Sequence, residues 1–239
     1  MYSRAESVRS IPGAVATAGQ SVRASFLRRT YAHLAGAIAA FVLVEIGLFR
    51  AGLDDDIAAL AFGGRWNWLI FLGLFMVVGT IADRWARSER SVGMQYVGLG
   101  LYVVAEAILF APLLLIAARY SDPGVIPSAA LITLLVFGGL TATVWLTRRD
   151  FSFLRGAIAV GTLAAFGAIL GGILFGFTLG LWFSIAMVVL ASGAILYSTS
   201  QIMAHYHPSA HVAAALGLFA SVALLFWYVL STLMHLSRE

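Results

Sequence analysis

An all-α membrane bundle of seven transmembrane helices is the fold that this 239-residue sequence predicts. Three observations carry that expectation. Seven apolar runs are each long enough to cross a bilayer, which takes about 20 residues at a rise of about 1.5 Å. The composition is 61% hydrophobic and 11% charged, with mean hydropathy +0.94. That leaves too few charges to clothe a soluble domain of this length. Finally, only Glu45 and Glu106 place an ionisable group well inside any run.

In chain order, the spans are expected near 31–50, 66–83, 95–117, 126–147, 154–176, 181–203 and 211–234. Together they form one membrane domain over 26–239. Residues 1–25 are polar and hold no short apolar core followed by a cleavage site, so no signal peptide is read there. This segment is expected to be a disordered or surface-lying cytoplasmic tail. Between the fifth and sixth spans only Gly176 to Gly180 intervenes, without a charge. A re-entrant segment and a six-span count is the alternative there. Pro127 falls in the first turn of the fourth span and Pro208 just before the seventh, where a missing N–H costs little. Trp66 and Trp68 suit one membrane interface, and Trp85 and Trp145 the other. The glycines of the fifth span, Gly156, Gly161, Gly167, Gly171 and Gly172, would let helices approach closely.

All fifteen basic residues are arginine. Eleven fall in the N-terminal tail and the 84–90 and 148–155 loops, whereas Arg50, Arg65, Arg119 and Arg238 fall on the opposite side. The positive-inside rule then puts the N-terminus in the cytoplasm and, with seven spans, the C-terminus outside. The run Asp54-Asp55-Asp56 lies on the outer side, read as a solvated loop or as a weak cation-attracting mouth. The pI near 9.8 reflects arginines in short loops. Membrane lipids with anionic headgroups, not nucleic acid, are their expected partners.

Other classes fall away by composition. The chain has no cysteine, so disulfides, thiolate metal sites and cysteine nucleophiles are excluded. It has no lysine, so no retinal Schiff base can form. No G-x-S-x-G, P-loop or H-E-x-x-H occurs. Gly193 follows Ser192, but the pattern of an intramembrane serine protease is absent. Neither catalysis nor a cofactor is expected.

The residues that could carry chemistry are few. Glu45 lies in the outer half of the first span and Glu106 near the middle of the third. Each would cost several kcal/mol as an unpaired anion. Each can escape that cost by protonating, by pairing or by facing a wet cavity. A protonated carboxyl bonded to a neighbouring helix is the structural reading, and a proton- or cation-linked role the functional one. Tyr197-Ser198-Thr199-Ser200-Gln201 is the most polar stretch of any span. Ser221 of the seventh span could meet Ser198 and Gln201, as interhelical hydrogen bonding or as part of an ion or proton path. His205, His207 and His211 cluster between the last two spans. They read as interfacial loop residues, then as a pH-responsive gate, and only last as a metal site or a hydrolase centre. Asp150 sits among Arg148, Arg149 and Arg155. It reads as a helix N-cap with a salt bridge, or as a cytoplasmic latch.

Several segments, in order, resemble the Bax inhibitor-1 family, also called the transmembrane Bax-inhibitor-motif family. They are Phe26 to Leu34 at the first span, Gly98 to Ala107 and Pro112-Leu113-Leu114 in the third, and Thr141 to Leu154 between the fourth and fifth. Ile195 to Met203 and Ala215 to Ser221 complete the set. The resemblance implies a seven-helix fold with six helices around a central one. It also implies pH-sensitive calcium leak or, in some bacteria, modulation of a membrane-bound AAA protease. The family's leak is associated with two aspartates near the cytoplasmic ends of the sixth and seventh helices. Here Ser198 and Ser221 stand at those places, so that mechanism does not carry over. The first expectation is a membrane protein that allows or regulates calcium, cation or proton leak through other acids, Glu45, Glu106 or Asp150. The alternative is a non-conducting modulator of a membrane protease or stress response.

Overall fold

The computed structural model describes residues 14–64, 66–88, 91–147 and 149–237. Among these, a 3-10 turn at Val15–Thr17 precedes α1 (Gln20–Ala51), α2 (Leu53–Phe62), α3 (Asn67–Ala86) and α4 (Val92–Tyr120). Then follow α5 (Val125–Thr147), α6 (Leu154–Phe175), α7 (Leu181–His205) and α8 (His211–Leu236). All but α2 are long and apolar enough to cross a membrane, which gives the seven spans the sequence predicts. At 10 residues, about 15 Å, α2 is too short to cross.

Local chemistry explains the ends. α1 stops at Gly52, whose φ of +70° is a left-handed conformation that favours glycine. α2 starts at once, with Asp54, Asp55 and Asp56 in its first turn, where carboxylates complement the helix dipole. The acidic run is therefore not a solvated loop, and Asp54 is buried. Ser91 caps α4, its Oγ accepting the Met94 N–H at 3.3 Å. Pro112 lies inside α4, fully buried, and leaves the Ile108 carbonyl without its helical donor. α6 ends at Gly176 with φ +77°, whose N–H donates to the Gly172 carbonyl at 2.8 Å. α6 and α7 are both full-length helices, which settles the 176–180 break as a connection between two spans rather than a re-entrant segment.

α1 begins well before the expected residue 31, because 20–30 lacks proline and glycine and continues the helix with arginines. Ala14 and Val15 of the preceding segment are buried, and the Val15 N–H donates to the Tyr206 carbonyl at 3.0 Å. Residues 1–13 of the expected tail lie outside the described residues.

The chain divides into two compact units. One comprises Arg29–Ile126 with Ala210–Phe219, and the other comprises Pro127–Ser209 and Ala220–Glu239 with the segment up to Arg28. In the first unit, α3 and α4 form a tight hairpin. A Cβ at Gly98 would stand 2.5 Å from the Ala86 nitrogen and 2.6 Å from the Ala82 oxygen, so only glycine allows the two backbones to meet there. In the second unit, Phe183 of α7 packs edge-on against Tyr228 of α8, and Gly161 of α6 lies against the Leu190 side chain of α7. α8 and α4 are the most buried of the seven spans.

Candidate functional site: buried carboxyls in the membrane

Glu45 projects from the last third of α1 and is 6% exposed, with neither carboxyl oxygen hydrogen-bonded among the described residues. The Asp54 carboxylate acts on it electrostatically across the Gly52 turn. Asp54 is itself 5% exposed. Two acids thus share a dry neighbourhood, where a pair of like charges is disfavoured. The next residue, Asp55, points outward and forms an ion pair with Arg119 at the end of α4, Oδ2 to Nη2 2.6 Å. The Arg119 hydrogen bond holds the Asp55 carboxyl below the usual aspartate range. Arg119 also feels Asp54, so one guanidinium acts on two of the three acids of the α2 first turn.

Glu106 lies mid-way along α4, 5% exposed. The Tyr102 hydroxyl, one helical turn earlier, donates a hydrogen bond to its carboxyl. Oε2 has no partner among the described residues. The Tyr102 ring rests 3.4 Å from where a Cβ at Gly79 of α3 would be and packs edge-on against Phe75 and Phe219. A glycine on α3 thus seats the tyrosine that engages Glu106. Glu45 and Glu106 belong to the same unit, as does an aromatic cluster in which Phe41 packs against Phe110 and Phe219.

The polar stretch of α7 belongs to the other unit, together with Ser221. Ser198 and Gln201 are half-buried. Ser200 turns its hydroxyl back to the Tyr197 carbonyl at 2.8 Å, while Thr199 is 2% exposed and its hydroxyl has no partner among the described residues. Ser221 is 9% exposed.

His205 and His207 belong to the second unit and His211 to the first. His205 ends α7 exposed, and His207 bonds the Ser209 hydroxyl at 2.9 Å. His211 instead lies at the start of α8 with its ring edge-on to His33 of α1, centroids 5.0 Å apart. No three metal-ligating side chains converge among the described residues. Asp150 does not cap α6; its Oδ1 accepts the Ser152 N–H at 2.8 Å in a local turn, and Phe153 precedes the helix without a side-chain cap. Arg149 is exposed, and Arg148 lies outside the described residues.

Sequence reasoning passed over three participants. Asp54 was hidden because the acidic run looked like a loop. Tyr102 was readable only as part of a helix, although its spacing of four from Glu106 is the signal for a same-face pair. His33 is joined to Tyr96, Nε2 to hydroxyl 2.9 Å, across 63 residues of chain.

Comparison with known proteins agrees with this architecture. The family described as "Inhibitor of apoptosis-promoting Bax1" matches residues 23–238. A relative from Pseudomonas aeruginosa, itself uncharacterised, is 41% identical over 103 residues, 43% of this chain and 46% of its own length. YccA of Escherichia coli K12, named a modulator of FtsH protease, is 34% identical over 108 residues, 45% of this chain and 49% of its own. The chain thus spans about half the length of these two relatives. A Neisseria meningitidis protein is 26% identical over 182 residues, 75% of this chain and 78% of its own. A match across nearly the whole sequence, joined to seven apolar helices, makes this chain a membrane protein of the Bax inhibitor-1 family.

Proposed function

We propose that this protein permits or regulates the leak of protons or cations across a bacterial inner membrane, with Glu45 and Glu106 as its titrating groups and its N-terminus in the cytoplasm. The observation that carries the proposal is the state of the two acids. Both are more than nine-tenths buried, and three of their four carboxyl oxygens lack a hydrogen-bond partner among the described residues. A bundle stabilised only by packing would do better with Leu or Met at both positions, since an unsatisfied buried polar group costs about 1–3 kcal/mol. In a membrane span, such groups mark ion or proton routes more often than packing. Ser198 and Ser221 supply hydroxyls on α7 and α8 but no charge, so the work of an acid pair falls to the glutamates.

The test is flux in liposomes loaded with a pH dye or a calcium dye. Flux that falls at least several-fold in the Glu45→Gln/Glu106→Gln double variant supports the proposal. Flux unaffected by the double substitution defeats it.

A second reading rests on the relative named a modulator of FtsH protease. In that reading this chain conducts nothing and acts on a membrane-bound protease. Absence of flux at every pH, together with altered degradation by such a protease when both proteins share a membrane, would favour it.

A further inference from the structure

A groove of about 440 Å³ opens on the first unit between α1 and α4. On α1 its wall is Ala32, Gly36, Ala40 and Val44; on α4 it is Gly100 and Val104. Gly36 and Gly100 are exposed, and a Cβ on either would meet nothing within 4 Å, so the hollow comes from missing side chains. At one end the wall turns polar. The His33 Nδ1–H donates to the Arg29 carbonyl at 2.6 Å, which leaves Nε2 to accept from the Tyr96 hydroxyl at 2.9 Å. His211 packs edge-on against the His33 ring. Residues 29, 33, 36, 40 and 44 follow one another at helical spacings of three and four, so exposed Arg29 stands on the same stripe, just beyond the polar end.

We propose that this groove binds one acyl chain of an anionic phospholipid, with the phosphate held at Arg29 and the His33–Tyr96 pair. Dimensions favour a lipid chain. From Ala32 to Val44 the helix rises about 18 Å, close to the roughly 15 Å of hydrocarbon in one leaflet. The volume holds about fifteen groups of water or methylene size at about 30 Å³ each. A helix about 10 Å wide over the same length would sweep on the order of 1,400 Å³, so a second copy of the chain fits the hollow poorly. Charge decides the headgroup. The apolar length ends at an arginine and a tyrosine hydroxyl, with no acidic side chain among the groove's lining residues.

Native mass spectrometry of the full chain, extracted from vesicles of equal phosphatidylglycerol and phosphatidylcholine, tests the proposal. The wild type should keep one phosphatidylglycerol per chain, preferred about five-fold, the worth of one arginine near an anionic surface. Gly36→Leu and Gly100→Leu should each lose it, whereas Gly139→Leu, also into open space but in the other unit, should keep it. Arg29→Gln should keep a lipid but lose the preference. If either groove variant folds poorly, Gly36→Cys serves. The chain has no other cysteine, and maleimide labelling at that site should slow at least three-fold in phosphatidylglycerol relative to phosphatidylcholine. Lipid retained by both leucine variants, or labelling equal in the two lipids, would overturn the assignment. A wild-type dimer that Gly36→Leu splits, without loss of lipid, would give the groove to a second copy instead.

Discussion

A single methyl group at Gly98 should loosen the hairpin that seats Glu106. In Gly98→Ala the new Cβ would lie 2.5 Å from the Ala86 nitrogen and 2.6 Å from the Ala82 oxygen. Both obstacles are backbone, so no side chain can swing aside. α3 and α4 must separate by about 1 Å, at the upper end of the roughly 1–3 kcal/mol typical of overpacking. The gain from replacing a helical glycine is about 1 kcal/mol, which leaves a net loss of about 2 kcal/mol. Gly47→Ala in α1 is the control, because a Cβ there meets nothing within 4 Å and only the gain remains. The two variants should therefore differ by about 3 kcal/mol, or roughly 6–12 °C in unfolding temperature for a chain of this size. Thermal unfolding in detergent, followed by tryptophan fluorescence, measures the gap. Equal unfolding temperatures would refute the close approach, and with it the seat that Gly79 and Tyr102 make for Glu106.

Two further outcomes are expected. Tyr102→Phe and Glu106→Gln should couple in a double-mutant cycle of stability by about 0.5–2 kcal/mol, because one hydrogen bond joins the two side chains; additivity would remove the bond from the account. The Asp55–Arg119 pair holds the Asp55 carboxyl below the usual aspartate value near 4, so its stabilisation is complete above that value and lost as the pH falls through the lower value of the folded protein. Asp55→Asn should therefore unfold earlier than wild type at neutral pH and in the same place in strong acid, and a difference that persists there would argue against the ion pair.

The spans were legible because hydrophobic length is a one-dimensional signal, and all seven are found where the apolar runs lie. Glu45 and Glu106 were legible for the same reason, as charges against an apolar ground. What surrounds them was not. The burial of Asp54 depends on α2 folding directly from the Gly52 turn, and three adjacent aspartates look alike in a loop and at a helix start. A partner of His211 was also out of reach of the sequence. His211 pairs with His33, far away in the chain, because α1 and the start of α8 bring them to one end of the same unit. Asp150 was read as a cap of the fifth span, whereas its Oδ1 accepts a backbone N–H two residues on, short of the start of α6.

The bond from Val15 to the carbonyl of Tyr206 sets an order of assembly. The segment that carries Val15 leaves the ribosome ahead of α1, yet its acceptor arrives only after six of the seven spans have been made. The Val15 segment must wait for that acceptor through most of translation. It docks only when the turn between α7 and α8 is complete. A bulky fusion placed just ahead of Val15 would burden this late step, leaving insertion of the earlier spans untouched and slowing only the final closure of the end of α7.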